Sequence, residues 1–378
     1  MRAVVVGGGV AGASCAIALR RIGVDVVLYE AYDNPAGQVG SFVSLAGNGL
    51  RALDALGVLP QVQAAGFAVA RQRMWSGQGR LLGDVARGRR SGDPLLSVTL
   101  MRADLVATLR AAAAAAGVRL CTGVRRAAGD PCDVDAELIV GADGIWSITR
   151  RAIDGHAPEP VHAGIYTVSS IAAKSSHEPG PAFEPGSFNM ILGRPGAFIY
   201  LPAPDGTVWW SAQVAATRPP EIAVSARFAE KFGAEPCAAS IIRASRDSLT
   251  STANHVLAAV PRQHDHRTVL VGDAAHPVGA GQGASMAIED AVVLARELHR
   301  APDLALALAA FVDLRRARLA RLAKAAGRNR DAKTAGPLAA RLRNLVMPYT
   351  FNRFYENATG WLYDYDPGRL PTATRDRA

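Results

Sequence analysis

Cysteine and long apolar runs are both scarce in this chain. Its four cysteines, Cys15, Cys121, Cys132 and Cys237, are scattered through 378 residues without a Cys-x-x-Cys pair or metal-ligand spacing. This excludes a disulfide framework and a dithiol redox centre, so any redox chemistry must come from a bound cofactor. No run approaches the roughly 18 apolar residues that cross a bilayer, and no stable membrane association is expected.

Neither positive nor negative charge is concentrated along most of the chain. The net charge is +9, but arginines are interleaved with Asp and Glu, which favours a solvated surface that attracts anionic cofactors over a nucleic-acid-binding one. In residues 314–324 the apolar positions have helical spacing, which predicts an amphipathic helix with its arginines on the wet face. The first nine residues enter a strand directly, so no cleavable signal and a cytoplasmic protein are expected.

The order of predicted elements is typical of a nucleotide-binding α/β fold. A strand at 2–6, a helix at 10–21 and a strand at 25–29 form a βαβ unit. Further helices are predicted at 48–56 and 102–116 and from about Gly283, and further strands at 118–122, 137–140 and 267–271.

The amino-acid composition changes between the predicted strands at 137–140 and 267–271. Residues 160–255 are rich in Pro and Gly and contain alternating apolar stretches, with Ala203-Pro-Asp-Gly marking a hairpin. The predicted fold is therefore α/β, a Rossmann-like nucleotide-binding fold interrupted by an antiparallel β-rich domain, with a C-terminal helical segment. The expected boundaries are 1–158 and 257–330 for the two parts of the nucleotide-binding domain, 159–256 for the β-rich domain, and 331–378 for the helical segment and tail.

The sharpest motif is Gly7-Gly-Gly9-Val10-Ala11-Gly12, which follows a strand and opens a helix. Gly7 allows a tight turn, Gly9 lets the backbone approach a pyrophosphate, and Gly12 permits close helix–sheet packing. The helix N-terminus supplies free amides and positive potential to phosphates. Glu30, at the end of the next strand, is placed to accept hydrogen bonds from ribose hydroxyls, with Ala31 beside it. Its negative charge favours FAD or NAD over NADP at this position.

Two later motifs distinguish FAD from NAD. The segment from Asp143-Gly144 to Arg150 resembles the Asp-Gly motif, and Gly272-Asp273-Ala-Ala-His276-Pro277 resembles the Gly-Asp motif, of class A flavoprotein monooxygenases, the family of para-hydroxybenzoate hydroxylase-like aromatic hydroxylases. The resemblance covers nearly the whole chain in order and spacing. Each motif also ends a predicted parallel strand, where an α/β sheet places its ligand-binding loops.

The resemblance implies a set of cofactor contacts. Asp273 would meet the ribityl hydroxyls of FAD, although a plain helix cap is an equal alternative for it. A helix opening at Gly281, Gly283 and Ala284 would face the flavin pyrimidine, Arg102 would reach the cofactor, and Val43, in the segment 40–48, would lie beside the ring. Asp143 and Arg150 serve NAD(P)H in part. The loop between His276 and Gly281 is shorter than the family's, which leaves the near wall of the flavin open to question.

The activity implied by the resemblance is hydroxylation or epoxidation of a small aromatic or polycyclic compound, a secondary metabolite among the candidates. NADH or NADPH would reduce FAD, and O2 would then give a flavin C4a-hydroperoxide. Two other classes remain open: an FAD-dependent reductase or halogenase on the same fold, and a degenerate flavin binder. Trp209 and Trp210 are adjacent and do not form the Trp-x-Trp-x-Ile segment of halogenases. The expected partners are the substrate and O2, with no nucleic acid, in a monomer or homodimer.

Candidate substrate contacts come from the predicted antiparallel sheet. Alternation along the strands could let one face line a cavity against the flavin, whereas for any one of these side chains core packing is the favoured role. The candidates are Asn189, Phe198, Tyr200, Trp209, Trp210 and Gln213. No catalytic side chain is assigned: His276 is expected to be structural or adjacent to the flavin. His264 and His266 are expected in a solvated loop, so no metal site is predicted.

Overall fold

The fold is described from a computed structural model over residues 1–33, 42–126, 135–173, 183–218, 225–245, 249–277, 281–333 and 337–371. In chain order the elements are β1 (Arg2–Val6), α1 (Val10–Arg21), β2 (Asp25–Tyr29), β3 (Phe42–Leu45), α2 (Gly47–Ala55), α3 (Leu59–Ala64), β4 (Phe67–Val69), β5 (Arg71–Ser76), β6 (Leu81–Ala86), β7 (Ser97–Met101), α4 (Arg102–Ala115), β8 (Arg119–Cys121), β9 (Leu138–Gly141), α5 (Ile148–Ile153), β10 (Val161–Ala172), β11 (Ser187–Leu192), β12 (Gly196–Pro202), β13 (Val208–Ala215), α6 (Ser225–Glu230), α7 (Pro236–Arg243), β14 (Thr250–Val256), β15 (Thr268–Leu270), α8 (Gly283–Arg300), α9 (Leu304–Lys333) and α10 (Pro337–Tyr363).

A five-stranded parallel sheet forms the nucleotide-binding part, in the order β15-β9-β1-β2-β8. Its strands are short valine- and leucine-rich segments, as expected for a sheet covered on both faces. Apolar residues of α1, α4 and α8 pack with it in the largest core of the molecule. The predicted βαβ unit and the strands before both later motifs are therefore confirmed, and all the motif loops follow carboxyl ends of strands in one sheet.

A seven-stranded sheet forms the second layer, in the order β14-β10-β13-β12-β11-β5-β6. Its pairs are antiparallel except β11 with β5. The hairpin predicted at Ala203 joins β12 to β13, with the Ala203 amide donating to the Thr207 carbonyl. Two of the strands, β5 and β6, come from the first segment of the chain rather than from residues 159–256. The boundaries given above remain a prediction, and the hydrogen bonding adds this pair of strands to the large sheet.

The two faces of the large sheet meet different partners. On the outer face, aromatic residues of β12 and β13 form a core with α6 and α7. On the inner face, Trp209 lies 5.1 Å from Phe67 and 6.2 Å from Phe42, ring centre to ring centre, and so contacts the small sheet β3-β7-β4. Helix α10 packs on the inner face at the β5–β6 edge through Met347 and Phe351. Among the described residues, no helix is both long enough and apolar enough to cross a membrane.

Candidate functional site

The glycine turn after β1 has the geometry that its sequence predicts. Gly7 has φ +103°, and a Cβ there would lie 2.4 Å from the Ala142 carbonyl oxygen. At Gly12 a Cβ would lie 1.8 Å from the Gly7 carbonyl oxygen, so only glycine lets α1 start this close to the strand. A Cβ on Gly9, by contrast, would meet no protein atom within 4 Å. Gly9 therefore leaves open space at the first turn of α1, next to Val10 and Ala11.

Glu30 closes the other side of this turn. One carboxylate oxygen, Oε2, accepts a 2.7 Å hydrogen bond from the Gly8 amide, and Oε1 accepts one of 3.1 Å from the Tyr32 amide. The Glu30 side chain is buried. Ala31 is the residue between Glu30 and Tyr32. Each carboxylate oxygen has a second acceptor position, so these bonds hold the turn and still permit a ligand hydroxyl to donate to Glu30.

The Asp-Gly loop is held by its own carboxylate. Asp143 accepts hydrogen bonds from the Ser147 hydroxyl and from the amide and hydroxyl of Thr149, at 2.5, 3.0 and 3.0 Å. Ser147 in turn caps α5 by accepting from the Arg150 amide. Gly144 has φ +76° and open space at its Cβ position. The contacts show Asp143 as a residue that shapes the loop; its expected role toward NAD(P)H stays a prediction.

Arg150 joins the two later motifs. Its fully buried guanidinium donates to the Ala274 carbonyl at 3.0 Å and the Ile145 carbonyl at 2.8 Å. Burial lowers the pKa of Arg150, while the charges of Asp143 and Glu159 oppose that change. The side chain thus fixes the Asp-Gly loop against the Gly-Asp loop across neighbouring strands β9 and β15, a linkage that the motif spacing alone did not reveal.

Asp273 stands in a short 3-10 helix, Gly272–Ala274, directly after β15. The residue is exposed to solvent, although protein atoms surround its carboxyl on the other sides. Desolvation by these atoms raises the pKa of Asp273, with a contribution from Asp290, against the opposing charges of His276 and Arg102. Arg102, at the start of α4, therefore lies near enough to act on the Asp273 carboxyl. The charges of two predicted cofactor residues from distant parts of the sequence therefore influence each other.

The start of α8 completes this place. A Cβ on Gly283 would lie 3.5 Å from Asp273 Oδ1, and no protein atom lies within 4 Å of the Cβ position of Gly281, whose φ is +117°. Gln282 precedes the helix without a side-chain cap, so the first amides through Ala284 remain available, and its buried Oε1 has no hydrogen-bond partner. Residues 278–280 of the shortened loop lie outside the described residues.

These features fit a dinucleotide such as FAD. The open surface at Gly9 lies at one helix N-terminus, where phosphates bind. Asp273 and the unpartnered Gln282 oxygen lie at another N-terminus, whose dipole favours the electron-rich edge of a flavin. Both helix ends face the carboxyl edge of the same parallel sheet. Val43, on β3 opposite Leu100 of β7, flanks the same region; residues 40 and 41 of its segment lie outside the described residues.

A buried ion cluster lies behind the Gly-Asp loop. Asp290 Oδ2 is 2.6 Å from His276 Nε2 and accepts a 2.9 Å bond from the Gly272 amide. Its Oδ1 pairs with Arg315 Nε at 2.7 Å. Burial acts to raise the pKa of Asp290, but His276, Arg315 and the hydrogen bonds outweigh it, so the pKa lies below its ordinary value. His276 therefore has a structural contact at the Gly-Asp loop, and its expected place beside the flavin stays a prediction.

Glu289 extends this cluster to three other elements. It pairs with Arg315 and with Arg318 at 2.7 Å each, and accepts a 2.6 Å bond from Asn48 of α2. Arg318 also donates to the Leu362 carbonyl of α10. The expectation that the arginines of 314–324 lie on a wet face is wrong for Arg315 and Arg318, which are buried against α8. The adjacent acids Glu289-Asp290, flanked by apolar residues on both sides in α8, were the signal that could have predicted buried partners.

The candidate substrate contacts do not share one face, because successive strand residues point to opposite sides. Asn189 pairs with Tyr200, and Tyr200 with Trp210, which places all three on the outer face with Phe198. There, Phe198, Tyr200 and Trp210 fill the core beneath α6 and α7, and Asn189 accepts a hydrogen bond from Trp75. This corrects the expectation of one common face. Only Gln213 and Trp209 lie on the inner face.

His264 and His266 lie just before β15, in a segment that was predicted to be a solvated loop. His266 is 82% exposed in its side chain, and His264 forms an isolated bridge with Val269. Over the described ranges, no group of three or more His, Cys, Asp or Glu side chains has the arrangement of a metal site.

Known proteins resemble the chain along almost its whole length. Residues 1–303 match the family model described as FAD binding domain. Kynurenine 3-monooxygenase of Salinispora arenicola is 30% identical over 349 residues, which cover 82% of this chain and 75% of that protein. The 3-hydroxybenzoate 6-hydroxylase of Klebsiella oxytoca is 28% identical over 395 residues, with 97% of both chains covered.

Solved structures show the same fold. The crystal structure of Klebsiella pneumoniae HpxO with FAD and uric acid has a TM-score of 0.78 at 22% identity and covers 95% of both chains. The crystal structure of CtdE with FAD and a substrate has a TM-score of 0.80 at 20% identity, covering 98% of this chain and 97% of that one.

These matches confirm the fold class and the resemblance inferred from the three motifs. The family model spans the glycine turn, both later motif loops and the start of α8, so it includes every predicted cofactor residue of the chain. The chain therefore belongs to the family of class A FAD-dependent monooxygenases, the aromatic hydroxylases.

Proposed function

We propose that this protein binds FAD at the edge of the parallel sheet and uses NADH or NADPH and O2 to place one oxygen atom on a small aromatic or polycyclic substrate. One observation carries the proposal: the Gly-Asp loop lies against both the first turn of α1, at Ala11, and the free N-terminus of α8, at Gly283. The relatives' names, which include hydroxylases of hydroxybenzoate and kynurenine, support an aromatic substrate.

The residues have distinct tasks in this proposal. Bound FAD supplies the redox chemistry with O2, which side chains alone do not provide. The amides at Gly9–Ala11 hold the pyrophosphate, Glu30 accepts from the ribose, and Asp273 accepts from the ribityl chain. The N-terminus of α8 stabilises negative charge on the flavin. Trp209 and its aromatic neighbours Phe42 and Phe67 exclude water from the side where a substrate would approach.

Gly9→Ala tests the cofactor site without disturbing the protein. The added methyl group meets no protein atom, and Gly9 has an ordinary φ of −75°, so the fold should tolerate it. A pyrophosphate in close approach to Gly9 would be displaced, and we expect FAD affinity to fall about tenfold or more. Gly155→Ala, also without a neighbour within 4 Å, is the matched control. Equal FAD affinities for the two variants would contradict the assignment.

Activity separates the proposal from its alternatives. Aerobic oxidation of NADH and NADPH by the FAD-loaded protein is measured with a panel of phenolic, indolic and polycyclic compounds, and oxygenated product is measured by mass. Substrate-stimulated oxidation with one oxygen added supports the monooxygenase. Oxidation without oxygenated product indicates a reductase, and halogenated product in the presence of halide indicates a halogenase. If neither NADH nor NADPH reduces the bound FAD, with or without any of the compounds, the protein is a degenerate flavin binder.

A further inference from the structure

One side of helix α10 fixes the helix to the large sheet. Met347 and Phe351 pack against a cluster formed by Met74, Leu82 and Leu192. Residues four apart on a helix lie one above the other, so these two side chains form a single stripe. This stripe accounts for the packing of this part of α10 on the β5–β6 edge.

The same turns carry a second apolar stripe, which is exposed. It consists of Leu342, Leu345, Val346 and Tyr349, whose residues are 63%, 61%, 44% and 77% exposed. Their spacing of three, four and seven residues places them on one side of the helix, opposite the side that meets the sheet. We call this surface the α10 stripe. A helix that is apolar on both sides is normally covered on both sides, so the α10 stripe calls for a partner.

Basic side chains stand at both ends of the α10 stripe. Arg341 precedes it and Arg353 follows it by one turn, and both residues are exposed. The Arg353 guanidinium lies 5.6 Å from the ring centre of Phe354, a residue that is 54% exposed. Neither arginine pairs with a carboxylate in the part of the chain that the structure describes. The one acid within α10, Glu356, accepts a 3.0 Å hydrogen bond from the Ser91 amide. The stripe is therefore both apolar and basic.

The size and charge of the α10 stripe distinguish between two kinds of partner. Its exposed surface is on the order of 400 Å², whereas a specific protein complex buries about 800 Å² on each partner. Two copies that met along the stripe would also bring the exposed arginines of both chains together, which is unfavourable. A lipid surface with anionic headgroups neutralises these arginines and accepts apolar side chains without a matching shape.

We propose that the α10 stripe docks on an anionic lipid surface, with α10 lying in the plane of the membrane interface. No helix among the described residues can cross a bilayer, so the association is peripheral and reversible. An interfacial helix buries its apolar side at the boundary between headgroups and acyl chains and keeps its basic side chains near the phosphates. Each arginine near an anionic surface adds to the attraction, and the net charge of +9 acts in the same direction. Lipid docking is independent of the reaction proposed above.

The test measures binding of the FAD-loaded protein to vesicles by co-sedimentation. The probes are vesicles of phosphatidylcholine alone and vesicles that also contain phosphatidylglycerol, each at low and at high salt. We expect the protein to bind the anionic vesicles about tenfold or more tightly than the neutral ones, with a smaller preference at high salt. Arg341→Gln combined with Arg353→Gln should remove most of this preference.

Two further double variants test the apolar side chains. Leu345→Ser combined with Tyr349→Ser should weaken binding to the anionic vesicles by about tenfold or more, because both side chains leave the acyl boundary. The matched control is Leu306→Ser combined with Leu314→Ser on α9, where the residues are 55% and 53% exposed. The control should bind vesicles as the wild type does. Since all the substituted residues are exposed, every variant should keep the FAD content and circular dichroism of the wild type.

Light scattering of the protein without vesicles distinguishes the lipid surface from a second copy of the chain. A wild-type dimer that becomes a monomer in the Leu345→Ser/Tyr349→Ser variant would assign the α10 stripe to a second copy and overturn the proposal. Absence of vesicle binding by the wild type, or equal vesicle binding by this variant and the wild type, would overturn it as well. Loss of vesicle binding in this variant but not in the α9 control, with an unchanged oligomeric state, supports lipid docking.

Discussion

Two junctions of the molecule hold arginine side chains away from bulk water in opposite ways. At the α8–α9 junction, Arg315 is enclosed by Glu289 and Asp290, and its pKa is raised because their charges outweigh its burial. At the junction of β5, β6 and α10, Arg87 meets an amide oxygen and an aromatic ring. In the first arrangement the arginine meets two carboxylates, whereas in the second no Asp or Glu among the described residues pairs with it.

The difference indicates how much each junction contributes to stability. The carboxylate-paired cluster fixes α2, α8, α9 and the Gly-Asp loop in one arrangement. A guanidinium that meets only an amide oxygen and an aromatic ring contributes less to folding. We therefore expect substitutions in the first junction to change stability more than substitutions in the second.

Arg315→Met should give the largest effect. Removal of this side chain takes the arginine away from buried Asp290 and leaves buried Glu289 with one arginine, Arg318. Breaking a buried ion pair by deleting one partner costs about 3–5 kcal/mol, so the free energy of unfolding from denaturant titration should fall by about that amount. Arg316→Met is the matched control, because its side chain is 71% exposed and pairs with exposed Asp313; a loss of about 0.5 kcal/mol or less is expected. Similar losses for both would contradict the comparison.

The second-largest expected effect is on the free energy of unfolding at acid pH, through Asp290. Because the folded pKa of Asp290 is depressed, its contribution to stability is complete above the ordinary pKa of Asp, about 3.9, and is lost as the pH falls through the folded value. The groups facing it are Arg315 of α9, His276 and the Gly272 amide of the loop, and Glu289 of its own helix.

Asp290→Asn should therefore flatten the fall in unfolding free energy below about pH 4, by at most about 1.4 kcal/mol per pH unit for one carboxylate. Unfolding curves between about pH 3 and 6 provide the measurement. Asp313→Asn, at an exposed site on α9, should leave the slope as in the wild type. An unchanged slope in Asp290→Asn would show that another carboxylate controls the acid limb.

Tyr355→Phe should give the smallest effect, confined to the second junction. Loss of the hydroxyl removes a contact to Gln72 and one to Tyr363, so Gln72 holds Arg87 less firmly. We expect the free energy of unfolding from denaturant titration to fall by about 0.5–1 kcal/mol. Tyr349→Phe on the same helix, where the residue is 77% exposed, should leave it unchanged. A loss as large as in Arg315→Met would show that the second junction contributes as much to stability as the first.

Much of the first junction's surroundings was predictable from sequence. Gly7 and Gly12 stand in the turn after β1 and the first turn of α1, and local chain geometry requires glycine at both. Strand, turn and helix start are adjacent in the sequence, so the pattern records their contact directly. The pairing of Glu289 and Asp290 with Arg315 was not predictable in this way, since the helical spacing of 314–324 does not show which arginines face a neighbouring helix.

The second junction was not predictable from the sequence, because it depends on strand register and on segments that are distant in the chain. Phe198 and Trp210 were candidates both for a face toward the flavin and for core packing, and the pairing of β12 with β13 turns them to α6 and α7. One residue of register decides between the faces, and alternation in one strand does not identify which face is which. Arg87, Gln72 and Tyr355 meet only because β5 and β6 join the large sheet and α10 returns to its edge.

The sequence by itself determined the α/β fold, the positions of the three motif loops and the family, because each depends on residues adjacent in the chain whose backbone requirements are specific. Tertiary structure alone decided which charges are neutralised and which remain available. Burial and pairing arise between elements hundreds of residues apart, as for Asn48 with Glu289 and Gln72 with Tyr355, and the electrostatic cost of a charge depends on those neighbours rather than on its place in the sequence.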